Sequence, residues 1–155
     1  EVEIVDLSGN RVKLARDELH VGYRHCLELA TAVAIGAILR PVTQGQAESI
    51  GRQIDVYRNK RQESQPRDPS AGCIFKNPTD DSAGKLIEQC GLKGERIGDA
   101  EVSRIHGNFI VNRGLATSAE VIELVRRVRD EVQRQTGKLL EPEVLLYGGR
   151  WEDVL

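Results

Sequence analysis

Two short stretches carry residue types that can move a proton and grip an acid. In Pro69-Ser70-Ala71-Gly72-Cys73-Ile74-Phe75-Lys76-Asn77-Pro78 a thiol follows a small residue, which lets backbone or ligand approach, and precedes an apolar pair suited to a strand that would fix the sulfur. An unperturbed thiol titrates at about 8.5, so a protonated Cys73 is a general acid at neutral pH. As a nucleophile it would need an imidazole to make thiolate. Of the three histidines only His106 follows the motif, and no spacing ties the two together; His20 and His25 are unassigned. Against any chemistry stands the plain alternative that a lone cysteine is a small buried hydrophobe. In Leu140-Glu141-Pro142-Glu143-Val144 the two carboxylates are two residues apart, so an extended backbone turns both to one face, with Pro142 stiffening it. Solvated charges at a strand start are the bland reading of the same residues. Tyr23-Arg24 after Gly22 offers a guanidinium able to hold a carboxylate bidentately. Lys76 and Asn77, with Arg58, Lys60 and Arg61 upstream, could contact phosphates or simply form a wet surface.

These groups need elements to position them. Residues 2–14 alternate as a β hairpin around Ser8-Gly9-Asn10, and the apolar run 31–39 before Pro41 predicts a more buried strand leaving that sheet. A first subdomain is expected to end near residue 42. From Gln46 the positions Ala47, Ile50, Ile54 and Tyr57 keep helical spacing, and the polar stretch 59–68 reads as a linker delivering the chain to Cys73. Ala83, Leu86, Ile87 and Cys90 recur at i, i+3, i+4 and i+7 after a possible Asp81 or Ser82 cap, which makes Cys90 a core residue. Thr117 and Glu120 have capping-box spacing ahead of Val121, Leu124, Val125, Val128 and Val132, with Gly137 as the stop. Strands are expected at 109–111 and 144–147. The second part therefore reads as α+β, with helices packed on a small sheet.

Composition narrows the class. A chain of 155 residues supports one principal core, and 39% hydrophobic with 30% charged residues describes a soluble globular protein without an apolar run long enough for a membrane. The 22 basic and 24 acidic residues are interleaved to a net charge of -2, and aromatics are only 4%, which argues against a nucleic-acid partner. Cysteines at 26, 73 and 90 form no CxxC pair and no even set, so a reducing, cytoplasmic compartment is expected and a structural metal site is not. The chain starts at Glu1 and contains no Met, which reads as a processed or excised piece.

Taken together, Gly22-Tyr23-Arg24, the run 71–78, Ala83-Gly84-Lys85-Leu86-Ile87-Glu88-Gln89-Cys90-Gly91-Leu92-Lys93-Gly94, Asn108-Phe109-Ile110-Val111-Asn112 and Leu140-Glu141-Pro142-Glu143-Val144 resemble the UDP-N-acetylenolpyruvoylglucosamine reductases, flavoenzymes of bacterial peptidoglycan synthesis also called UDP-N-acetylmuramate dehydrogenases. The resemblance implies FAD reduced by NADPH, hydride transfer to C3 of the enolpyruvyl group, and a proton to C2 from the position that Cys73 occupies. It implies that Arg24 and Glu143 bind and polarise the substrate carboxylate, and that Asn77 and Tyr23 lie against the UDP-sugar. Physically, an arginine disperses charge on an enolate-like intermediate, whereas a carboxylate helps only if protonated or if it orients a donor. Two departures stand out: His25-Cys26 replaces the more usual Asp-Ser after Gly-Tyr-Arg, and the glycine-rich Ile-Pro-Gly and Asn-x-Gly-Ala flavin motifs do not occur. The implied organisation is the C-terminal part of a flavin-binding subdomain, a β ribbon over 1–42, followed by a substrate-binding α+β domain over 43–155. The implied partners are the UDP-sugar enolpyruvate and a flavin-binding region outside these motifs; residues contacting the cofactor are unassigned. A non-catalytic domain that binds UDP-sugar or a partner protein is the alternative.

Overall fold

The computed structural model describes every residue, Glu1–Leu155. The chain divides into two compact units, Glu1–Ile50 and Gly51–Leu155, each of which follows from its own sequence logic.

In the first unit, β1 (Val2–Asp6) and β2 (Arg11–Leu14) pair antiparallel around a turn that Asp6 organises. Its carboxylate accepts the N–H groups of Ser8 at 2.8 Å and Asn10 at 2.9 Å, and Gly9 supplies the positive φ of 84°. A second, minimal hairpin joins β3 (Val21–Gly22) to β4 (His25–Cys26). The last strand, β5 (Ala32–Ala37), lies antiparallel against the other edge of β1, giving the order β2-β1-β5. The expectation of a more buried strand leaving the sheet is thus corrected: β5 stays in the ladder, and Val33 and Ile35 are 63% and 47% exposed. An apolar strand is buried only where a layer covers it, and this unit supplies none, so Ile4 is its one buried apolar residue.

Helix α1 (Ala47–Ser64) runs across the division between the units and continues through what the sequence suggests is a linker from residue 59. Lys60, Arg61, Gln62 and Glu63 are good helix formers with no breaker among them, and Ser64 Oγ donates back to the Lys60 carbonyl at 2.7 Å. Pro66 then stops the helix by disfavouring helical backbone at the residue before it. None of its side chains is buried.

The second unit is an antiparallel sheet backed by helices. Its strands are β6 (Ser70–Cys73), β7 (Arg96–Ile97), β8 (Ala100–Val102) and β9 (Phe109–Asn112), in the order β6-β9-β8-β7. Helices α2 (Ala83–Gln89) and α3 (Ser118–Thr136) supply Leu86, Ile87, Leu124, Val125, Val128 and Val132 to one core with Phe75 and Leu140. The capping box of α3 forms as its spacing predicts: Thr117 Oγ1 accepts from Glu120 N–H, Glu120 returns a carboxylate to Thr117 N–H at 2.7 Å, and Gly137 ends the helix at φ 72°. Cys90 packs half-buried against the core at the end of α2, where burial pushes its thiol up. The strand expected at 144–147 does not form. Pro142 cannot extend a ladder, and Val144 gives its carbonyl to the Trp151 indole N–H at 2.6 Å, so the chain turns with Leu145 and Tyr147 exposed. The architecture is α+β, and no helix is long and apolar enough to cross a membrane.

Candidate active site

Cys73 ends β6, its backbone opposite Phe109 of β9. The ladder slips between Ser70 and Cys73, where Gly72 takes φ 86°; a Cβ there would meet nothing within 4 Å, so the glycine serves the backbone conformation rather than space. Just beyond the thiol the chain is held from two sides. Asn108, 3% exposed, takes the Ile74 N–H on its carbonyl at 3.0 Å, takes the Phe75 N–H on Oδ1 at 2.9 Å, and donates Nδ2–H to the Phe75 carbonyl at 2.8 Å. From the opposite side, Glu143 N–H donates to the Ile74 carbonyl at 2.7 Å and Lys76 N–H to the Glu141 carbonyl at 2.8 Å, around an isolated bridge between Phe75 and Pro142. The structure therefore brings two of the sequence's candidates together: Glu143 is hydrogen-bonded through its backbone to the residue that follows Cys73.

The same bridge separates the two glutamates by role. The Glu141 carboxylate closes onto the Lys76 ammonium, so Lys76 holds a carboxylate in this structure rather than standing ready for a phosphate. Asn77 also has a local duty, since its Oδ1 accepts the Ala83 N–H at 3.1 Å and caps the first turn of α2. His106 braces the loop: its Nδ1 accepts Asn108 N–H at 3.1 Å, its ring meets Phe109 edge-on at 5.0 Å, and burial lowers its pKa. A Cβ at Gly84 would lie 2.9 Å from that ring, so the glycine makes room for it.

A cleft of about 390 Å³ opens beside Gly72, lined by Arg58, Arg61, Arg67, Gln62, Gln65, Ser70 and Phe109. No carboxylate lines it. Three guanidinium groups and two amides around one concavity suit an anion with several oxygen acceptors. Arg58, which the sequence offers for phosphate contact, reaches Asp55 at 3.1 Å, and Arg61 reaches Gln65 at 2.9 Å.

Tyr23 and Arg24 belong to the first unit, at the tip of the β3–β4 hairpin, with the Arg24 guanidinium carbon 5.7 Å from the Tyr23 ring centre. Arg24 is the only non-glycine residue with positive φ, at 62°. Glu28, which sequence reasoning missed, gathers this hairpin: its carboxylate accepts His20 N–H at 3.1 Å, meets His20 Nδ1 at 2.6 Å and accepts the Cys26 thiol at 3.1 Å. The hydrogen bond from His20, then that from Cys26, brings the Glu28 carboxyl down to about 2, and the same contact pushes the Cys26 thiol up. Asn108 was missed too, although a polar residue at the head of the apolar run Phe109-Ile110-Val111 is a visible cue to a buried bracket.

No cluster of three or more His, Cys, Asp or Glu side chains is placed to hold a metal. In Glu1–Ile50 a Cβ at Gly22 would run into the His25 ring and one at Gly45 would press on Ile50, whereas Gly9 and Gly36 are not crowded.

The fold and site define an α+β domain in which the residues after Cys73 are pinned through their backbone and Gly72, just before it, borders a basic cleft. Residues 65–147, more than half of the chain, match the C-terminal domain of UDP-N-acetylenolpyruvoylglucosamine reductase, and the chain belongs to that family. It is 42% identical over 152 residues to UDP-N-acetylenolpyruvoylglucosamine reductase 2 of Symbiobacterium thermophilum, covering 96% of this chain and 48% of that protein. The Moorella thermoacetica reductase is 41% identical over 95% of this chain and 49% of its own length. The solved UDP-N-acetylenolpyruvylglucosamine reductase of Thermus caldophilus superposes with a TM-score of 0.69 at 42% identity, over 92% of this chain and 50% of that one. The chain thus spans about half the length of the relatives it matches.

Proposed function

We propose that this chain is the substrate-handling part of a reductase that converts UDP-N-acetylglucosamine enolpyruvate to UDP-N-acetylmuramate, a step in peptidoglycan precursor synthesis in the cytoplasm. The observation that carries this is the backbone bridge joining the residue after Cys73 to Glu143. On this reading residues 1–42 complete a flavin-binding subdomain and 43–155 form the substrate domain. FAD, held by the rest of the reductase and reduced by NADPH, would supply the hydride for C3 of the enolpyruvyl group. The residues of this chain do the remainder. Cys73 gives its S–H proton to C2, completing addition of hydride and proton across the double bond, and regains a proton from solvent. Arg24 holds and polarises the substrate carboxylate as charge spreads onto it, and Glu143 assists as an acid or by orienting a donor. Tyr23 and Asn77 flank the substrate, and the diphosphate lies in the cleft of Arg58, Arg61 and Arg67.

The test is Cys73→Ala in a full-length reductase carrying this segment. Reduction of the bound flavin by NADPH stays near wild type while oxidation of reduced flavin by the enolpyruvyl substrate is blocked, and Cys73→Ser retains turnover. Equal loss of both half-reactions would make Cys73 structural. Tight UDP-sugar binding with no turnover in the unmodified protein would favour a non-catalytic binding domain instead.

A further inference from the structure

We propose that Glu28 is the positioning residue for Arg24: its carboxylate ties the two ends of the β3–β4 hairpin together and so holds the arginine in its left-handed conformation. The inference rests on the reading that Arg24 meets the substrate carboxylate. The starting observation is backbone geometry. Two-residue hairpin turns favour positive φ at both central residues (type I′, usually Asn or Gly) or at the first alone (type II′, usually Gly). Here only the second, Arg24, is positive, at a position where glycine is the ordinary occupant and a Cβ is unwelcome. Such a conformation persists only where the surroundings over-determine it.

The strands alone do not, since the ladder consists of Val21 opposite Cys26 and Gly22 opposite His25. Three further ties brace the hairpin. Leu27 N–H donates to the His20 carbonyl at 3.1 Å, adding a rung below the ladder. The His25 ring lies over Gly22 so closely that a Cβ at that glycine would stand 2.0 Å from it. The third tie is Glu28, whose carboxylate receives the backbone N–H of His20 on both oxygens, at 3.2 and 3.1 Å, and also engages the His20 ring and the Cys26 thiol. His20 precedes β3 and Cys26 ends β4, so one side chain spans the hairpin's open end. The Glu28 side chain is 17% exposed and His20 is 74% exposed, which makes the carboxylate the shielded hub and the imidazole its outer partner. This gives a use to His25 and Cys26, the residues that follow Gly-Tyr-Arg here: one closes over Gly22 and the other is a ligand of the hub.

The experiment uses the full-length reductase with Glu28→Gln and Glu28→Ala, and Cys26→Val as a milder variant that removes one donor while keeping an apolar side chain. Arg24→Ala is run in parallel. The expected result is faster amide exchange across residues 20–28, a fall in kcat/KM for the enolpyruvyl substrate on the order of 100-fold for Glu28→Ala, as for a group misplaced by about an ångström, and unchanged flavin reduction by NADPH. Wild-type exchange in the Glu28 variants would overturn the inference. So would faster exchange with unchanged kcat/KM while Arg24→Ala is inactive, because the clamp would then hold the hairpin without serving the arginine. Unchanged turnover in Arg24→Ala would instead overturn the reading of Arg24 as a substrate ligand, and the exchange data would still decide whether Glu28 holds the turn. Should Glu28→Ala fail to fold, Cys26→Val and Glu28→Gln give the same readouts.

Discussion

Replacing Asn108 with alanine isolates what fixes the thiol-bearing strand. The Asn108 amide makes two hydrogen bonds to Phe75, one accepted from its N–H at 2.9 Å and one donated to its carbonyl at 2.8 Å. Asn108 is 3% and Phe75 1% exposed, so water does not reach either backbone group readily. Alanine leaves both unsatisfied, and a buried polar group without a partner costs about 1–3 kcal/mol, so the pair predicts a loss of about 2–6 kcal/mol, reduced where the strand relaxes. The backbone bond from Ile74 N–H to the Asn108 carbonyl survives the substitution, so β6 and β9 stay aligned and the damage is local. Urea unfolding of the chain, followed by the fluorescence of Trp151, its only tryptophan, measures the loss. Asn108→Asp sharpens the test: it keeps the acceptor for Phe75 N–H but sets a carboxylate oxygen against the Phe75 carbonyl. That variant is at least as unstable at neutral pH and recovers as acid protonates the new carboxyl. A loss below about 0.5 kcal/mol in Asn108→Ala would refute the reasoning, because it would mean that Phe75 finds other partners at no cost.

Arg61→Glu places a negative charge in the basic cleft without touching the reacting atoms. It raises KM for the UDP-sugar and leaves kcat near wild type, and added salt narrows the gap by weakening the unmodified protein; a kcat defect at saturating substrate would argue against a diphosphate there. The hairpin clamp has a pH signature. Glu28 titrates at about 2 in the folded chain, below its ordinary value of 4.5, so its contribution is complete above pH 4.5 and is lost as pH falls towards 2. The Glu28 carboxyl carbon and the His20 amide, followed by NMR, are expected to shift together in that window; a midpoint near 4.5 would show that the carboxylate is not held.

What the sequence discloses depends on the range of the forces involved. Thr117, Glu120 and Gly137 mark α3 because a cap and a stop are settled within one turn, and Leu86 and Ile87 face the core because helical periodicity is local. The Gly72-Cys73 and Glu141-Pro142-Glu143 stretches are recognisable as motifs, but the bridge joining Phe75 to Pro142 spans most of the unit's sequence, and no local pattern predicts it. Burial is where local reading misleads. The run Ala32-Val33-Ala34-Ile35 has the composition of a covered strand, yet exposure is decided by what lies on the sheet, and the unit of residues 1–50 has no layer to set there. The linker expected from residue 59 fails for the opposite reason: polarity suggests a loop, whereas Lys, Arg, Gln and Glu are helix formers that need no burial. Glu28 escapes notice because its partners lie eight and two residues away in a turn whose geometry cannot be inferred from composition.

The two kinds of chemistry proposed here ask different things of the backbone, and the fold answers them differently. Proton transfer is sensitive to tenths of an ångström, since donor and acceptor must come within hydrogen-bond reach in a fixed direction. The residues just after Cys73 are accordingly bonded on both sides, to Asn108 and to the chain of Glu141 and Glu143, beneath a core that includes Phe75 and Leu140. Charge complementarity is more forgiving, because a Coulomb interaction falls off slowly with distance. Arg58 and Arg61 lie on a helix with no buried side chain, and only a salt-sensitive attraction is asked of them. Arg24 sits between these cases: it must meet a carboxylate in a directed, bidentate way, yet it lies on a hairpin of two residue pairs. A carboxylate hub such as Glu28 resolves that tension by giving a surface turn the kind of constraint that the buried residues Ile74 and Phe75 give to the segment after Cys73.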